Sequence, residues 1–335
     1  MGFYRYFALR LLSMIAIVFI LLTFIFFAIH ILPGDPVEAL VGESASQEFI
    51  ENLRHDLGLD KPLHEQYWDY ITGIITGNLG RSIILRNSVA NLIWERAGVT
   101  IQLAVMAWIV SVFLGIAVGR FSAYKEGKVE DHVVRSTTLF MYAIPVYVLG
   151  IAFQLIFGVY LDILPIFGTN SPYVRPPKVT GMILIDTLLA GDFPGFGDAV
   201  LHFVLPVMSL SAYYIAVTVR ITRSETIKAQ KRTYCLLAQA KGLDKKEITN
   251  KHAFRNALLP VVTIIGLQAG TLLTGSILVE TVFSLRGLGN LIWISASQRD
   301  YILTQGVVTI FVVITSVIGL IIDTSYYFLD PRVRY

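Results

Sequence analysis

Between Leu11 and Leu32 the chain carries no Asp, Glu, Lys or Arg. In an α-helix rising 1.5 Å per residue, about 22 such residues cross the roughly 30 Å hydrocarbon core of a bilayer. Inside that core every backbone group must find an internal partner, which leaves helix as the conformation for a single apolar stretch. Five further stretches read the same way: Val99–Val118, Leu139–Tyr160, Phe203–Val219, Leu258–Phe283 and Ile302–Ile322. Composition agrees, with 55% hydrophobic and 15% charged residues, where a soluble domain carries about a quarter charged. The expected fold class is an all-α integral membrane protein of six transmembrane helices. Arg5 and Arg10 precede the first stretch as in a signal peptide, but the stretch exceeds a signal core and no small-residue cleavage site precedes Pro33, so it reads as a retained span.

Lys and Arg accumulate on the cytoplasmic side of membrane proteins. Ten of the 27 basic residues fall between 220 and 255, against five in the longer 33–98 segment. Both termini and the 120–135 and 220–255 segments are therefore assigned to the cytoplasm. The chain divides into a first span with a large outer loop, 1–98, and a five-span core, 99–335, with a cytoplasmic loop at 223–257. Helical periodicity from Glu48 to Leu57 and an aromatic and polar run from Tyr67 to Ile75 predict small helices in the outer loop, either a cap over the outer mouth or a docking face. The Pro- and Gly-rich stretch from Leu164 to Gly197 is a second outer loop with the same two readings.

No catalytic set emerges. Gly270-Thr-Leu-Leu-Thr-Gly275-Ser276 has the glycine spacing of a phosphate loop, but it lacks the lysine, follows no strand and lies in an apolar helix. Gly115/Gly119 and Gly266/Gly270 fit the spacing that lets membrane helices approach closely. The six histidines show no metal-ligand spacing, and one cysteine, Cys235, excludes a disulfide framework within the chain and is expected to be inert.

The segment from Arg220 to Pro260 is too polar for lipid. Residues Ser224 to Lys241 lack Pro and Gly, Gly242 stops the helix, Asp244 can cap the next one with Glu247 three residues on, and Pro260 opens the following span. Tyr234, Leu236, Leu237 and Leu243 are then apolar residues beside water. Such an elbow fits either a groove on a partner protein or the lipid surface.

Ala238-Gln-Ala-Lys-Gly242-Leu243, followed by His252-Ala-Phe-Arg-Asn-Ala-Leu-Leu-Pro260, resembles the coupling-loop signature of binding-protein-dependent ABC importer permeases of the dipeptide/oligopeptide/nickel group. The resemblance extends to Leu32-Pro-Gly-Asp-Pro36, Leu57-Gly-Leu-Asp-Lys-Pro62, Gly77-Asn-Leu-Gly80-Arg-Ser82, Ile144-Pro145, Glu280-Thr-Val-Phe283, Gly287-Leu-Gly289 and Leu329-Asp-Pro-Arg332. It matches the first, B-type permease of such importers. The chain departs from the wider pattern at Leu236 and Leu237, where Glu and Ala are usual, at Arg286, where Pro precedes Gly-Leu-Gly, and at Gly98, where a Pro often opens the second span.

The resemblance implies a prokaryotic inner-membrane protein and four kinds of neighbour: a second, C-type permease, two cytoplasmic ATPase subunits, an external substrate-binding protein and lipid. ATP and Mg would be bound by the ATPases, with no cofactor or catalytic residue on this chain. Leu236, Leu237, Ala238, Ala240, Lys241, Gly242, Leu243, Arg255 and Asn256 would couple to an ATPase. Di- or oligopeptides are the expected cargo, with oligosaccharides or nickel as alternatives for the same machinery. Because polar groups inside spans are costly, Gln102, Gln154, Thr263, Gln268, Thr271, Thr274 and Glu280 are candidates for the translocation path, with Glu280 alternatively pairing with Arg286. A self-contained secondary transporter would show an internal hydropathy repeat, and none is visible.

Overall fold

The computed structural model describes residues 3–31, 47–56 and 58–329. Leu57 and the Leu32–Pro36 motif lie outside these, as do the last three residues of the Leu329–Arg332 motif. Twelve helices are numbered here in chain order. They are α1 (Phe3–Ile31), α2 (Gln47–Asp56), α3 (Leu63–Thr76), α4 (Val89–Tyr124), α5 (Val129–Ala143), α6 (Val146–Tyr160), α7 (Ile183–Leu189), α8 (Phe193–Gln230), α9 (Thr233–Ala240), α10 (Lys245–Val282), α11 (Leu288–Ser297) and α12 (Tyr301–Leu329). Five of them, α1, α4, α8, α10 and α12, are each long and apolar enough to cross a bilayer.

The third span differs from expectation. Leu139–Tyr160 is not one helix: α5 and α6 meet at Ile144–Pro145 with a bend of 104°, and the pair makes a sixth crossing only if counted as one broken span. Proline cannot donate to the helix ladder, and its ring pushes the preceding residue out of the helical region. Ile144 accordingly is extended, at φ −84° and ψ 130°.

The core forms where α4, α8 and α10 cross. Leu103, Phe203, Leu205, Leu210, Leu272 and Val279 are buried there. Thr218 and Thr222 on α8 sit so close to Gly115 and Gly119 on α4 that a Cβ would stand 2.5 Å and 2.7 Å from the two threonine Cβ atoms. This is the close approach that the glycine spacing predicts. At Gly270 the expectation fails, because the nearest atom to an added Cβ is Ile318 Cγ2 at 4.0 Å. Trp108 Nε1 donates to the Ile265 carbonyl at 3.0 Å and ties α4 to α10.

α1 stands at the edge of the bundle, packed on α12. Tyr6 Oη donates to the Asp323 carbonyl at 2.9 Å, and Arg10 pairs with the Asp323 side chain at 3.2 Å. Its Ile31 end holds α3 through Phe26 against Tyr67 and Tyr70, and Tyr70 reaches Thr309 on α12 at 2.7 Å. The helices predicted in the 33–98 segment therefore form, and α3 is anchored to the bundle. The buried Asp300 carboxylate fastens the next segment. It accepts from Ser82 Oγ at 2.6 Å, from the Ile83 N–H at 3.1 Å and from the Leu303 N–H at 3.0 Å, so it caps α12 as well.

Candidate functional site: the open face of α10 and the elbow

α10 begins at an elbow and runs unbroken to the opposite end of the bundle. Gly242, at φ +80°, takes the left-handed conformation that glycine adopts without steric cost, and Asp244 Oδ2 accepts from the Lys246 N–H at 3.0 Å. The capping box is half made, because Glu247 turns to Lys251 Nζ at 2.8 Å. Pro260 lies inside α10 and does not open it. The run of helix formers after Asp244 starts the helix early, and it continues through a π-helical turn at Ile248–Ala253.

α9 buries one side and bares the other. Cys235 and Ala238 pack with Ala229, Ile248 and Ala253, with half-buried Leu243 against them, and Gln230 Nε2 donates to Thr249 Oγ1 at 2.8 Å. Leu236 and Leu237 point outward, 55% and 58% exposed, beside exposed Tyr234. Ala240, Lys241 and Gly242 continue this bare surface, and Arg255 and Asn256 are exposed on the first turns of α10. Of the nine residues expected to couple, Ala238 alone is fully turned inward. Burial pushes the Cys235 thiol above its ordinary pKa, which fits its expected inertness.

The seven polar residues expected on the path separate into two groups. Thr263, Thr271 and Thr274 lie with Leu267 along one face of α10, Thr263 half-buried and the others exposed, and the Thr263 and Thr271 hydroxyls each donate back to their own helix at 3.0 Å. The other four bond to neighbouring elements. Gln102 Oε1 accepts from the Leu184 N–H at 3.1 Å, and Gln154 Nε2 donates to the Ile166 and Val282 carbonyls at 2.9 and 3.0 Å. Gln268 accepts from Thr218 Oγ1 at 3.1 Å and donates to the Tyr214 carbonyl at 3.4 Å. Glu280 is fully buried, and Arg286 is exposed and outside its bonds. Its carboxylate accepts from Ser276 Oγ at 3.0 Å and from the Asn290 N–H at 3.1 Å, with further bonds from Thr100 and the Gly289 N–H. Its carboxyl oxygens thus sit on the free N–H groups that open α11 and cap that helix. Gly287 and Gly289 leave room for it, since a Cβ at Gly289 would stand 2.9 Å from Glu280 Oε2.

Sequence reasoning missed Asp131 as it missed Asp300. Asp131 accepts from Arg223 Nε at 2.6 Å and Nη2 at 2.7 Å, from Ser122 Oγ at 2.6 Å and from the Gly127 N–H at 3.1 Å. It joins the ends of α4, α5 and α8 on the side of the elbow. The signal available was an arginine and an acid at the margins of two spans, but the spacing of 92 residues hides the pairing. Nearby, Lys125 pairs with Glu130 at 2.8 Å, and that bond raises the lysine pKa.

The chain matches a family model described as the inner membrane component of binding-protein-dependent transport systems over residues 111–335. It matches the N-terminal model of such membrane components over residues 3–104. The chain belongs to this family of permeases. The permease is 39% identical over 334 residues to the dipeptide transport system permease protein of Escherichia coli (strain K12), covering 98% of both chains. It is 36% identical over 332 residues to the di/tripeptide transport system permease protein of Pseudomonas aeruginosa (strain UCBPP-PA14), again 98% of both. The glutathione transport system permease protein of Pectobacterium atrosepticum is 36% identical over 333 residues, 99% of each. The permease is a multi-pass protein of the cytoplasmic membrane.

Proposed function

We propose that this permease forms half of the pore of an ATP-driven importer of di- and oligopeptides. Its substrate class rests on relatives named for dipeptide, di/tripeptide and glutathione transport. A second permease of the same kind completes the pore, two cytoplasmic ATPase subunits bind ATP and Mg, and an external binding protein delivers the peptide. This chain carries no catalytic residue and binds no cofactor.

The observation that carries the reading is the elbow. Leu236 and Leu237 stand bare on an otherwise polar loop, while the opposite side of α9 is packed into the bundle. Exposed apolar side chains on a rigid helix suit a hydrophobic groove on a partner. The ATPase pair closes on ATP and moves the elbow, and α10, continuous with it, tilts its threonine face. That face, Thr263, Thr271 and Thr274, lines the path, while Gln102, Gln154, Gln268 and Glu280 hold the helices that frame it. Ligand-driven closure supplies the differential contact free energy that alternating access requires.

Affinity purification of the chain in mild detergent, followed by mass spectrometry, tests the assembly. Two ATPases and a second multi-span permease are the expected companions, and Leu236→Asp combined with Leu237→Asp should lose the ATPases and peptide uptake together. A chain that purifies alone and transports peptides in liposomes without ATP would overturn the reading.

A further inference from the structure

A cavity of about 480 Å³ opens between α5 and α8 at the end of the bundle that carries the elbow. All its lining residues come from those two helices and none from α10, so it is separate from the threonine face assigned to the path. Its charged walls are His132, Arg135, Arg220 and Arg223, and no acidic residue lines it.

The three arginines are held differently. Arg223 turns its guanidinium onto Asp131. Arg220 lies over the Tyr142 ring, 5.1 Å from its centroid, and Tyr142 in turn stacks on Tyr213 at 5.2 Å. Among the described residues no carboxylate pairs with Arg220 or with Arg135. Two guanidinium groups, one oriented by a ring, therefore face a cavity that also carries the Ser136 and Ser224 hydroxyls. Planar guanidinium donors match the oxygens of a phosphate in pairs.

The surroundings indicate what such a phosphate is attached to. Leu139, which lines the cavity, is 68% exposed, and Phe140 and Val133 beside it on α5 are 63% and 57% exposed. A charged cavity next to bare apolar side chains, at the end of the bundle that the basic residues assign to the cytoplasm, suits the two chemistries of a phospholipid: an anionic head and an acyl chain. Basic pockets between helices on the cytoplasmic side hold such head groups.

We propose that this cavity binds the phosphate of an anionic phospholipid, with Arg135 and Arg220 as its ligands and α5 as the contact for the acyl chain. An occupied site ties α5 to α8 beside the Asp131–Arg223 pair, and so joins the elbow's support to the composition of the inner leaflet.

The test uses full-length permease purified in mild detergent from membranes that contain anionic and zwitterionic phospholipids. Retained lipid is measured by native mass spectrometry, with and without millimolar inorganic phosphate. Phosphatidylglycerol or cardiolipin should be retained in preference to phosphatidylethanolamine, and phosphate should leave it in place. Arg135→Gln with Arg220→Gln should lower retention about ten- to thirty-fold. Ser136→Trp, at an exposed position on the cavity wall, should block the cavity and lower retention as well. Retention without head-group preference, or unchanged in both variants, would overturn the proposal. Release by inorganic phosphate alone would overturn it in favour of a site for free phosphate.

Discussion

Asp131 and Arg223, 92 residues apart, meet through two bonds of 2.6 and 2.7 Å and so close α5 onto α8. The acid is buried, and the arginine is 22% exposed along its side chain. Removing one partner of such a pair strands a charge and costs about 3–5 kcal/mol, toward the low end here because water reaches the arginine. Asp131→Asn or Arg223→Gln should therefore lower the thermal midpoint of the permease in detergent by several degrees. The double variant should lose less than the sum, as measured in a double-mutant cycle. Additive losses would show that the two groups act separately.

Gly242 sits at φ +80° with open space around the position of a Cβ. Backbone preference alone, and no collision, limits what can replace it. Gly242→Asn, a residue that tolerates the left-handed region, should keep both ATPase association and uptake. Gly242→Glu should leave membrane insertion intact while ATPase association in pull-down and peptide uptake both fall. Full transport by Gly242→Glu would refute the elbow as the coupling element.

The two glycine pairs should separate under substitution. Gly119→Leu drives a side chain into Thr222 and the Val219 carbonyl, so α4 and α8 must part, and folded yield measured by size-exclusion should collapse. Gly270→Ala meets one atom at 4.0 Å and should be tolerated, with a small gain from reduced chain entropy.

Glu280 separates charge from hydrogen bonding. Glu280→Gln keeps one acceptor oxygen for the α11 amides and can donate its NH2 to Ser276 Oγ, which already donates to the Leu273 carbonyl, so it should cost less than Glu280→Leu, which leaves the buried amides unpaired at about 1–3 kcal/mol each. Thermal unfolding of the two variants in detergent compares them directly, and equal stability would refute the capping role.

Cys235 is the chain's one thiol and is buried, with its pKa raised by that burial. A maleimide should label the folded permease slowly near neutral pH and the denatured one rapidly. Fast labelling in the folded state would mean that α9 swings away from Ala229 and Ile248.

Much of this architecture was legible because the bilayer makes helix obligatory wherever the chain is apolar for long enough. Five of the six expected crossings, the elbow with its Gly242 turn and the Gly115/Gly119 seam follow from local residue types. The break at Pro145 was less visible, since proline inside membrane helices is often tolerated, as Pro206 and Pro260 are here. The roles of the polar residues were least legible. Gln268 and Thr274 are both polar residues of α10, yet the first bonds to Thr218 and the second is exposed. Periodicity alone does not say which side of α10 has neighbours. Asp131–Arg223 and Asp300–Ser82 depend on residues brought together from distant parts of the chain, which one sequence does not reveal.

α10 spans 38 residues, about 57 Å of helix, from the elbow at Lys245 to Val282 beside the capped end of α11. It is continuous through the π-helical turn at Ile248–Ala253 and past Pro260, so it physically links the elbow to the Glu280 cap. Under the proposed coupling, a substitution that stiffens or loosens that cap should change the ATPase rate of the assembled importer.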